Sequence, residues 1–192
     1  MIAYAIFIIR LTTENQNTNL RDKMKKAIII GCPGSGKTTF AEKLHKKTGL
    51  PLYHLDAIWH NPDRTHIARD EFDERLGEIL ALDEWIIDGN YSRTLERRLI
   101  DCDTVFLFDL PTDVCLAGAR ERLGKGRYDM PWIATEIDPM FEKEIKEFKN
   151  SKTPEIYNLI EKHGQNKQIV IFKSRKDADT FINNRAQNDE LI

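Results

Sequence analysis

Residues Gly31 to Thr38 read GCPGSGKT, between the apolar run Ala27 to Ile30 and a stretch that favours a helix. The eight residues fit the pattern G-x-x-x-x-G-K-[ST], in which a strand, a glycine-rich loop and a helix together cradle phosphate groups. The glycines let backbone N–H groups turn toward phosphate oxygens, and the helix N-terminus adds its positive end. The stretch therefore predicts a phosphate-binding loop; a plain glycine-rich connector is the alternative.

Each fixed position of this loop has an expected role toward a nucleotide. Lys37 is expected to reach the β and γ phosphates and to act in catalysis, and the Thr38 hydroxyl is expected to hold Mg²⁺. The predicted nucleotide-binding set consists of Gly31, Gly34, Ser35, Gly36, Lys37, Thr38 and Thr39. The expected cofactors are accordingly ATP and Mg²⁺.

The composition is that of an ordinary globular protein whose 192 residues form one domain by default. A net charge of -2 gives no global basic field for nucleic acid, although local basic clusters remain open. The odd number of cysteines favours a reducing cytoplasm over a disulfide framework. Three regularly spaced histidines fit no common zinc-ligand pattern and are interpreted as polar loop residues: His54, His60 and His66.

The N-terminal residues are predicted to lie outside the domain. The apolar run from Ile2 to Ile9 is too short to span a bilayer, and the polar run from Thr12 to Asn19 resembles a linker. We expect an extension over residues 1–23, a domain over residues 24–185 and a tail over residues 186–192.

Strand and helix patterns alternate after Met24, which predicts a parallel sheet with helices on both faces. The predicted strands cover residues 27–30, 52–55, 85–87, 104–108 and 168–172. The predicted helices run from about Thr38 to Lys47, through Phe72 to Leu80, from Thr153-Pro154 to near Gly164, and onward from a capping pair of Ser174 and Asp177.

Three aspartates follow predicted strands. Ligands of open parallel sheets bind beyond the carboxyl ends of the strands, so these residues are expected near the loop: Asp56, Asp88 and Asp109. Asp56 is a candidate to bind an acceptor hydroxyl or, equally, a loop cap. Asp88, in IIDGNYSRT, either handles the acceptor or the waters of the metal, or belongs to a simple Asp-Gly turn.

Two further residues of IIDGNYSRT are candidates for the acceptor side. Arg93 can clamp a phosphate or carboxylate with its planar guanidinium, unless it is an ordinary solvated arginine. Tyr91, like Trp59, either stacks on a substrate or belongs to the core.

The stretch ARERLGKGRYDMP carries a cluster of basic residues next to two glycines, which favours a short lid over residues 120–131. Arginines that close over a transferring phosphoryl group stabilise its charge. Arg120 and Arg127 are the predicted catalytic pair, with Arg122 between them. A basic, solvated helix end is the alternative.

The order of GCPGSGKT, IIDGNYSRT and ARERLGKGR resembles that of the nucleoside monophosphate kinases, a group of P-loop proteins that includes shikimate and gluconate kinases. More closely, residues 24 to about 182 resemble the bacterial adenylate-kinase-like DNA topology modulation proteins, through GLPLYHLDAIWH, DEWIIDGNYSRTLERRL, RYDMPW and IVIFKSRKDAD. The resemblance implies a three-layer P-loop NTPase fold: five parallel strands with the loop strand in the middle, binding ATP with Mg²⁺.

The chain departs from adenylate kinases in two places. It reads Asp-Gly-Asn-Tyr-Ser-Arg-Thr where they have Asp-Gly-Phe-Pro-Arg-Thr, and its lid is short. We expect a cytoplasmic phosphotransferase that acts on a small acceptor, either a nucleoside monophosphate or a hydroxylated metabolite. The alternative is a regulatory ATP-binding protein that acts on DNA topology or on a protein partner.

Overall fold

The computed structural model describes residues 24–184, so the predicted extension and tail lie outside the described residues. The strands are β1 (Lys26–Gly31), β2 (Leu52–His54), β3 (Trp85–Asp88), β4 (Thr104–Phe108) and β5 (Gln168–Phe172). The helices are α1 (Lys37–Thr48), α2 (Leu55–Trp59), α3 (Arg69–Leu80), α4 (Ser92–Asp101), α5 (Thr112–Arg120), α6 (Pro139–His163) and α7 (Arg175–Asn184).

The strands form one parallel sheet in the order β2-β3-β1-β4-β5, with helices on both sides. α1 packs against α7, and α6 packs against both α4 and α5. A parallel sheet covered on both faces needs strands that are apolar on both faces, as the buried run Ile28 to Ile30 is. The predicted three-layer α/β fold, with the loop strand in the middle, is confirmed. Among residues 24–184, no helix is long and apolar enough to cross a membrane.

An aromatic cluster fixes α1 on the sheet. The ring of Phe40 lies 5.0 to 5.4 Å from those of Phe106, Phe108 and Phe172. Truncating a buried phenylalanine to alanine typically costs about 3–5 kcal/mol. Because Phe40 lies one turn into α1, this packing also holds the start of the helix against the sheet.

The predicted helix start at Thr153-Pro154 is wrong, because α6 begins at Pro139 and continues through Pro154. Asp138 caps the true start by accepting hydrogen bonds from the N–H groups of Met140 and Phe141. Both sites carry a capping residue followed by proline, so local sequence does not separate them. An internal proline costs about 3 kcal/mol, which the buried face of α6 offsets through Ile145, Phe148 and Ile156.

The predicted cap of α7 is confirmed. The Ser174 N–H donates to Asp177 Oδ2 over 2.9 Å, and the Asp177 N–H donates to Ser174 Oγ over 3.1 Å. This reciprocal pair satisfies backbone donors that the first turn of a helix leaves without partners. It begins α7 directly after β5, on the same side of the molecule as the phosphate loop.

Candidate active site

Strand register aligns the polar residues at the carboxyl edge of the sheet. His54 of β2 lies opposite Asp88 of β3, and Asp88 lies opposite Ile29 of β1, two residues before Gly31. The interpretation of His54 as a polar loop residue is therefore wrong, because it ends a strand. The strand-end rule that predicted the aspartates applies equally to this histidine.

The phosphate loop is built for close backbone approach. Gly34 has φ +80°, and a Cβ there would lie 2.1 Å from the Cys115 carbonyl oxygen of α5. Gly118 of α5 is as tightly placed, since a Cβ there would lie 2.2 Å from the Gly34 carbonyl oxygen. Arg175 braces the contact by donating to that carbonyl over 3.0 Å. The loop and α5 thus approach each other closely only because glycine occupies both positions.

The N-terminus of α1 faces the loop without a side-chain cap, so its first N–H groups are available to an anion. Ser35 is fully buried, and its Oγ has no hydrogen-bond partner within residues 24–184. Such an atom costs free energy unless a ligand satisfies it. The predicted nucleotide-binding segment therefore has unsatisfied donors.

Lys37 is buried, and its Nζ donates to the Cys32 carbonyl oxygen over 2.9 Å. Burial lowers the pKa of Lys37, and the neighbouring Asp88 carboxylate opposes that shift. The ammonium lies at the base of the loop next to an acidic residue. It is thus not the solvated lysine of an ordinary turn.

Thr38 contacts an acidic residue that sequence reasoning did not single out. Its Oγ1 donates to Asp129 Oδ2 over 3.2 Å, and Arg127 forms a two-pronged ion pair with the same carboxylate. Asp129 is 1% exposed. It belongs to the RYDMPW stretch, but no local pattern distinguished it from other loop aspartates.

The oxygen donors around Thr38 fit Mg²⁺. A threonine hydroxyl next to a carboxylate is a hard-oxygen set, and Mg²⁺ usually combines one or two such groups with waters and substrate phosphates. No cluster of three or more metal-ligating side chains occurs in the described part of the chain.

A cleft of about 370 Å³ opens beside the loop. Thr39 lines it, and so do the cationic residues Lys43, Arg122, Lys125, Arg127 and Arg175. Arg122 is half-buried, and its guanidinium makes no hydrogen bond or ion pair with the residues described. Burial, together with nearby Arg127, lowers the pKa of Arg122.

The two arginines predicted as the catalytic pair are placed differently. Arg127 lines the cleft, but Arg120 forms a 2.9 Å ion pair with Glu142 of α6, and its side chain is 58% exposed. Arg120 ends α5 and belongs to its outer surface, whereas Arg122 follows in the turn that faces the loop. Arg122 is thus a better candidate than Arg120 for a catalytic arginine.

The segment that follows these arginines also reaches the other side of the loop. Trp132 packs edge-to-face on His60, with ring centroids 5.0 Å apart. Asp129 meanwhile contacts Thr38 in the loop itself. The predicted lid therefore contacts the phosphate loop through Asp129, and Trp132, directly after the lid, contacts the segment after α2.

His54 links α1 to the end of β3. Its Nε2 lies 3.1 Å from Glu42 Oε1, and its Nδ1 lies 3.1 Å from Asp88 Oδ2. Burial disfavours the imidazolium, but hydrogen bonds and charge from Asp88 and Glu42 outweigh it and raise the pKa of His54. Asp88 is 4% exposed, and its other oxygen, Oδ1, has no hydrogen-bond partner among residues 24–184.

Asp56 lies in the first turn of α2 and accepts a hydrogen bond of 2.9 Å from the Tyr91 hydroxyl through Oδ1. Burial and the charge of Asp88 raise the pKa of Asp56. Tyr91 also stacks on Phe72 at 5.1 Å, and Trp59 meets Phe72 edge-to-face at 5.4 Å. The two aromatic candidates therefore form a wall behind Asp56.

Arg98 supports the loop after β3, and sequence reasoning missed it. Its fully buried guanidinium donates to the carbonyl oxygens of Gly89, Asn90 and Tyr91 over 2.8 to 3.0 Å. Burial lowers the pKa of Arg98 to about 10. With no carboxylate partner in that set of contacts, Arg98 acts as a fixed brace for the loop.

Two predicted residues are engaged elsewhere. Arg93 forms a bidentate ion pair of 2.7 Å with Asp73 of α3, and no contact joins it to Asp56 within the described chain. Asp109 was expected near the loop, but Lys149, Tyr157 and Lys173 hold its carboxylate. It sits at a strand end, yet residues of α6 and the segment after β5 enclose it.

Solved structures of known kinases share the fold of this chain. The chain is 15% identical to a shikimate kinase from Acinetobacter baumannii solved in complex with shikimate, with a TM-score of 0.54 over 88% of this chain and 96% of that one. A gluconokinase from Sinorhizobium meliloti aligns with a TM-score of 0.52 and 14% identity over 86% of this chain and 91% of that one. The fold is that of a P-loop kinase.

Sequence similarity is more local. Over 88 residues the chain is 31% identical to adenylate kinases from Thermotoga neapolitana and Thermotoga maritima. The match covers 45% of this chain and 39% of each adenylate kinase. No protein-family model matches the chain. The protein is therefore P-loop kinase-like in fold and in part of its sequence.

Proposed function

We propose that the protein is an ATP-dependent phosphotransferase that moves the γ-phosphoryl group of ATP to a hydroxyl of a small acceptor. The observation that carries this proposal is Arg122, a half-buried cation without an ion pair that lines the cleft beside Lys37 and the phosphate loop. An unpaired arginine at such a position is suited to stabilise charge on a transferring phosphoryl group.

The donor side binds the nucleotide phosphates. Backbone N–H groups of the loop and of the first turn of α1 bind the phosphate oxygens, and Lys37 contacts the β and γ phosphates. Arg122 and Arg127 close the cleft from the opposite side. Thr38, next to Asp129, would hold Mg²⁺, and the ion would neutralise negative charge on the phosphates.

The acceptor side supplies the base. The acceptor oxygen attacks the γ phosphorus, the bond from phosphorus to the bridging oxygen breaks, and ADP leaves. The hydroxyl proton passes to Asp56, whose Oδ2 is available because Tyr91 hydrogen-bonds to Oδ1. Burial and the charge of Asp88 raise the pKa of Asp56, which makes it a stronger base than an ordinary aspartate. Asp88, held by His54, remains beside Asp56 and Lys37.

Acceptor-dependent release of ADP tests the proposal. Nucleotide affinity and ADP formation are measured for the unchanged protein and for Lys37→Met, with Lys46→Met, an exposed lysine of the same helix, as the control. We expect Lys37→Met to lower turnover at least about 10²-fold and the control to leave it unchanged. Equal turnover in the unchanged protein and Lys37→Met would contradict the phosphate-loop assignment.

A non-catalytic ATP-binding protein that acts on DNA would give a different experimental result. DNA affinity would fall steeply with salt, and each Arg→Ala change in the basic stretch would reduce the salt slope by about one unit. The proposal expects acceptor-stimulated ADP release without such DNA binding. ATP binding and salt-dependent DNA binding, with no acceptor stimulation, would favour the alternative.

A further inference from the structure

Arg175, the first residue of α7, ties the phosphate loop to the end of α5. Its Nη2 donates to the Gly34 carbonyl oxygen over 3.0 Å, and its Nη1 forms a 3.1 Å ion pair with Oε2 of Glu121, the residue after α5. Its Nε lies buried without a hydrogen-bond partner among residues 24–184, so in that part of the chain only the two terminal nitrogens hold the guanidinium by hydrogen bonds. One side chain therefore bridges the loop, the turn that carries Arg122, and α7.

Two glycines leave the space that this side chain occupies. A Cβ on Gly118 would lie 2.0 Å from Arg175 Nη2 and 2.2 Å from the Gly34 carbonyl oxygen. A Cβ on Gly36 would lie 3.7 Å from Arg175 Cγ, so the side chain also lies against the loop itself. Gly118 lies within α5 and has no positive φ, so the close approach of the guanidinium, and not the backbone conformation, requires glycine there.

The contact fixes the peptide unit between Gly34 and Ser35. This peptide is trans, so its carbonyl and its N–H point in opposite directions. The carbonyl faces Arg175 and α5, and the Ser35 N–H donates to the Cys32 carbonyl oxygen over 3.3 Å. The same Cys32 oxygen accepts from Lys37 Nζ over 2.9 Å. Arg175 is thus connected, through one peptide unit, to the carbonyl that holds the lysine of the loop.

The orientation of this peptide matters for phosphate binding. Gly34 has φ +80°, and a glycine can turn its peptide in several ways at little steric cost. A carbonyl turned into the loop would present negative charge where N–H groups must meet an anion. Hydrogen bonds from a charged guanidinium are stronger than those between neutral groups, so the bond from Arg175 favours the orientation with the carbonyl outside.

We propose that Arg175 is a positioning residue of the donor site, which holds the Gly34 carbonyl against α5 and so keeps the loop in its phosphate-binding conformation before the nucleotide arrives. This inference rests on the nucleotide-binding part of the proposed function and adds to it a residue far from the loop in sequence. Without Arg175, only a fraction of the molecules would hold the competent loop, and the apparent affinity for phosphates would fall by that fraction.

Binding of ATP and of inorganic tripolyphosphate to the full chain, each with Mg²⁺, tests this inference. Arg175→Ala should weaken both ligands by the same factor, about tenfold, because the loop binds phosphate and not the base. Lys176→Ala, the exposed neighbouring cation of α7, is the control and should stay within about twofold. A loss of ATP affinity alone would mean that Arg175 contacts the nucleoside, and binding of ATP but not tripolyphosphate by the unchanged protein would place recognition there too; either result overturns the inference.

A charge-neutral variant separates position from charge. Gly118→Ala would place a methyl group where the guanidinium lies, and it should weaken both ligands about tenfold although Arg175 keeps its charge. Gly77→Ala is the matched control, a helical glycine of α3 whose Cβ would meet only the flexible end of Arg97, at 3.0 Å. Unchanged affinity in a Gly118→Ala protein that thermal unfolding shows to be folded would overturn the inference.

Arg175→Lys decides the question if Gly118→Ala does not fold. Lysine keeps the charge but is a single point donor that cannot hold the loop carbonyl and Glu121 together. It should bind both ligands at least about threefold more weakly than the unchanged protein. Affinity equal to that of the unchanged protein would show that charge alone is needed, and would overturn the inference.

Steady-state kinetics add a readout that general destabilisation would not move. Because saturating ATP selects the competent loop, Arg175→Ala should raise KM for ATP about tenfold and lower kcat by less than about threefold. A loss confined to kcat would overturn the inference. If the unchanged protein binds both ligands but transfers no phosphoryl group, the kinase proposal fails and the binding data still decide the role of Arg175; failure to bind ATP overturns both.

Discussion

The donor and acceptor sides of the phosphate loop share one sheet edge but are held in different ways. Loop glycines and an uncapped helix present N–H donors on the donor side. Arg122 lines the cleft there without an ion-pair partner among the described residues. Interlocking side-chain contacts hold the acceptor side: His54 to Asp88, and Tyr91 to Asp56. The donor side follows a general phosphate-binding pattern, whereas the acceptor side depends on side-chain contacts between separate elements.

This difference explains which features could be foreseen. Backbone anion sites need glycines at fixed spacing, so GCPGSGKT predicts them from local sequence. The acceptor side depends on which residues meet across strands and helices. The strand-end rule places His54 at the sheet edge but does not reveal its partners, and Asp129 carries no local signal. Substitutions on the two sides should therefore have separable effects.

The largest expected effect comes from Arg122 on the donor side. Arg122→Ala should lower kcat by about 10³-fold, because a transition-state arginine can contribute about 4 kcal/mol. Arg120→Ala is the matched control and should stay within about twofold, since an exposed ion pair contributes less than about 1 kcal/mol. Measuring kcat for both variants checks this. A larger loss of kcat in Arg120→Ala than in Arg122→Ala would indicate that Arg120 is the catalytic residue.

Asp56 should affect the acceptor side selectively. Asp56→Asn removes the proposed base and should lower kcat/KM for the acceptor about 10²-fold or more, with ATP affinity nearly unchanged. Glu74→Gln, an exposed carboxylate change on α3, serves as the control. If ATP affinity falls as much as acceptor use, the assignment of sides is wrong.

His54 should make stability depend on pH. Its pKa in the folded protein is raised above the ordinary value of 6.5, so its contribution is complete below about pH 6.5 and is lost as the pH rises through the raised pKa. His54→Gln removes charge-assisted hydrogen bonds worth about 1.5–3 kcal/mol.

Denaturant unfolding from pH 5.5 to 9 measures this effect. The stability difference between the unchanged protein and His54→Gln should be largest at the acidic end and shrink toward pH 9. A difference that grows with pH would mean that the imidazolium is not the stabilising form.

Arg93 should give the smallest effect. Its ion pair with Asp73 is about half exposed, so Arg93→Ala should change stability by less than about 1 kcal/mol and acceptor KM by less than about twofold. Steady-state measurement of KM for an acceptor that supports turnover checks this. A large rise in acceptor KM would instead support the acceptor clamp expected from the sequence.

Most of the fold could be predicted because the three central strands, β1, β3 and β4, are buried apolar runs that stand out from their flanking sequence. The error at Pro154 arose because the Thr153-Pro154 signature is locally as good as Asp138-Pro139, and only burial of Ile145 and Phe148 decides between them. Tertiary packing outweighs an intrinsic helix breaker at such a site.

Within the candidate site, residues defined by strand ends were foreseeable but their partners were not. Asp56 and Asp88 follow from the strand-end rule, yet Asp109 obeys the same rule and is enclosed by Lys149 and Lys173. Arg120 and Arg122 are two residues apart. Arg120 is the last residue of α5 and Arg122 lies in the turn that follows, so the position of the helix end determines which of them faces the loop.

Transfer of labelled phosphate tests the central claim most directly. The protein is incubated with ATP labelled in its γ-phosphoryl group, Mg²⁺ and a panel of nucleoside monophosphates, sugars and sugar acids, and the labelled products are separated. We predict label in an organic phosphate ester together with stoichiometric ADP, and loss of that product in Arg122→Ala. Label that remains in ATP, or that appears only as inorganic phosphate, would contradict phosphoryl transfer to an acceptor.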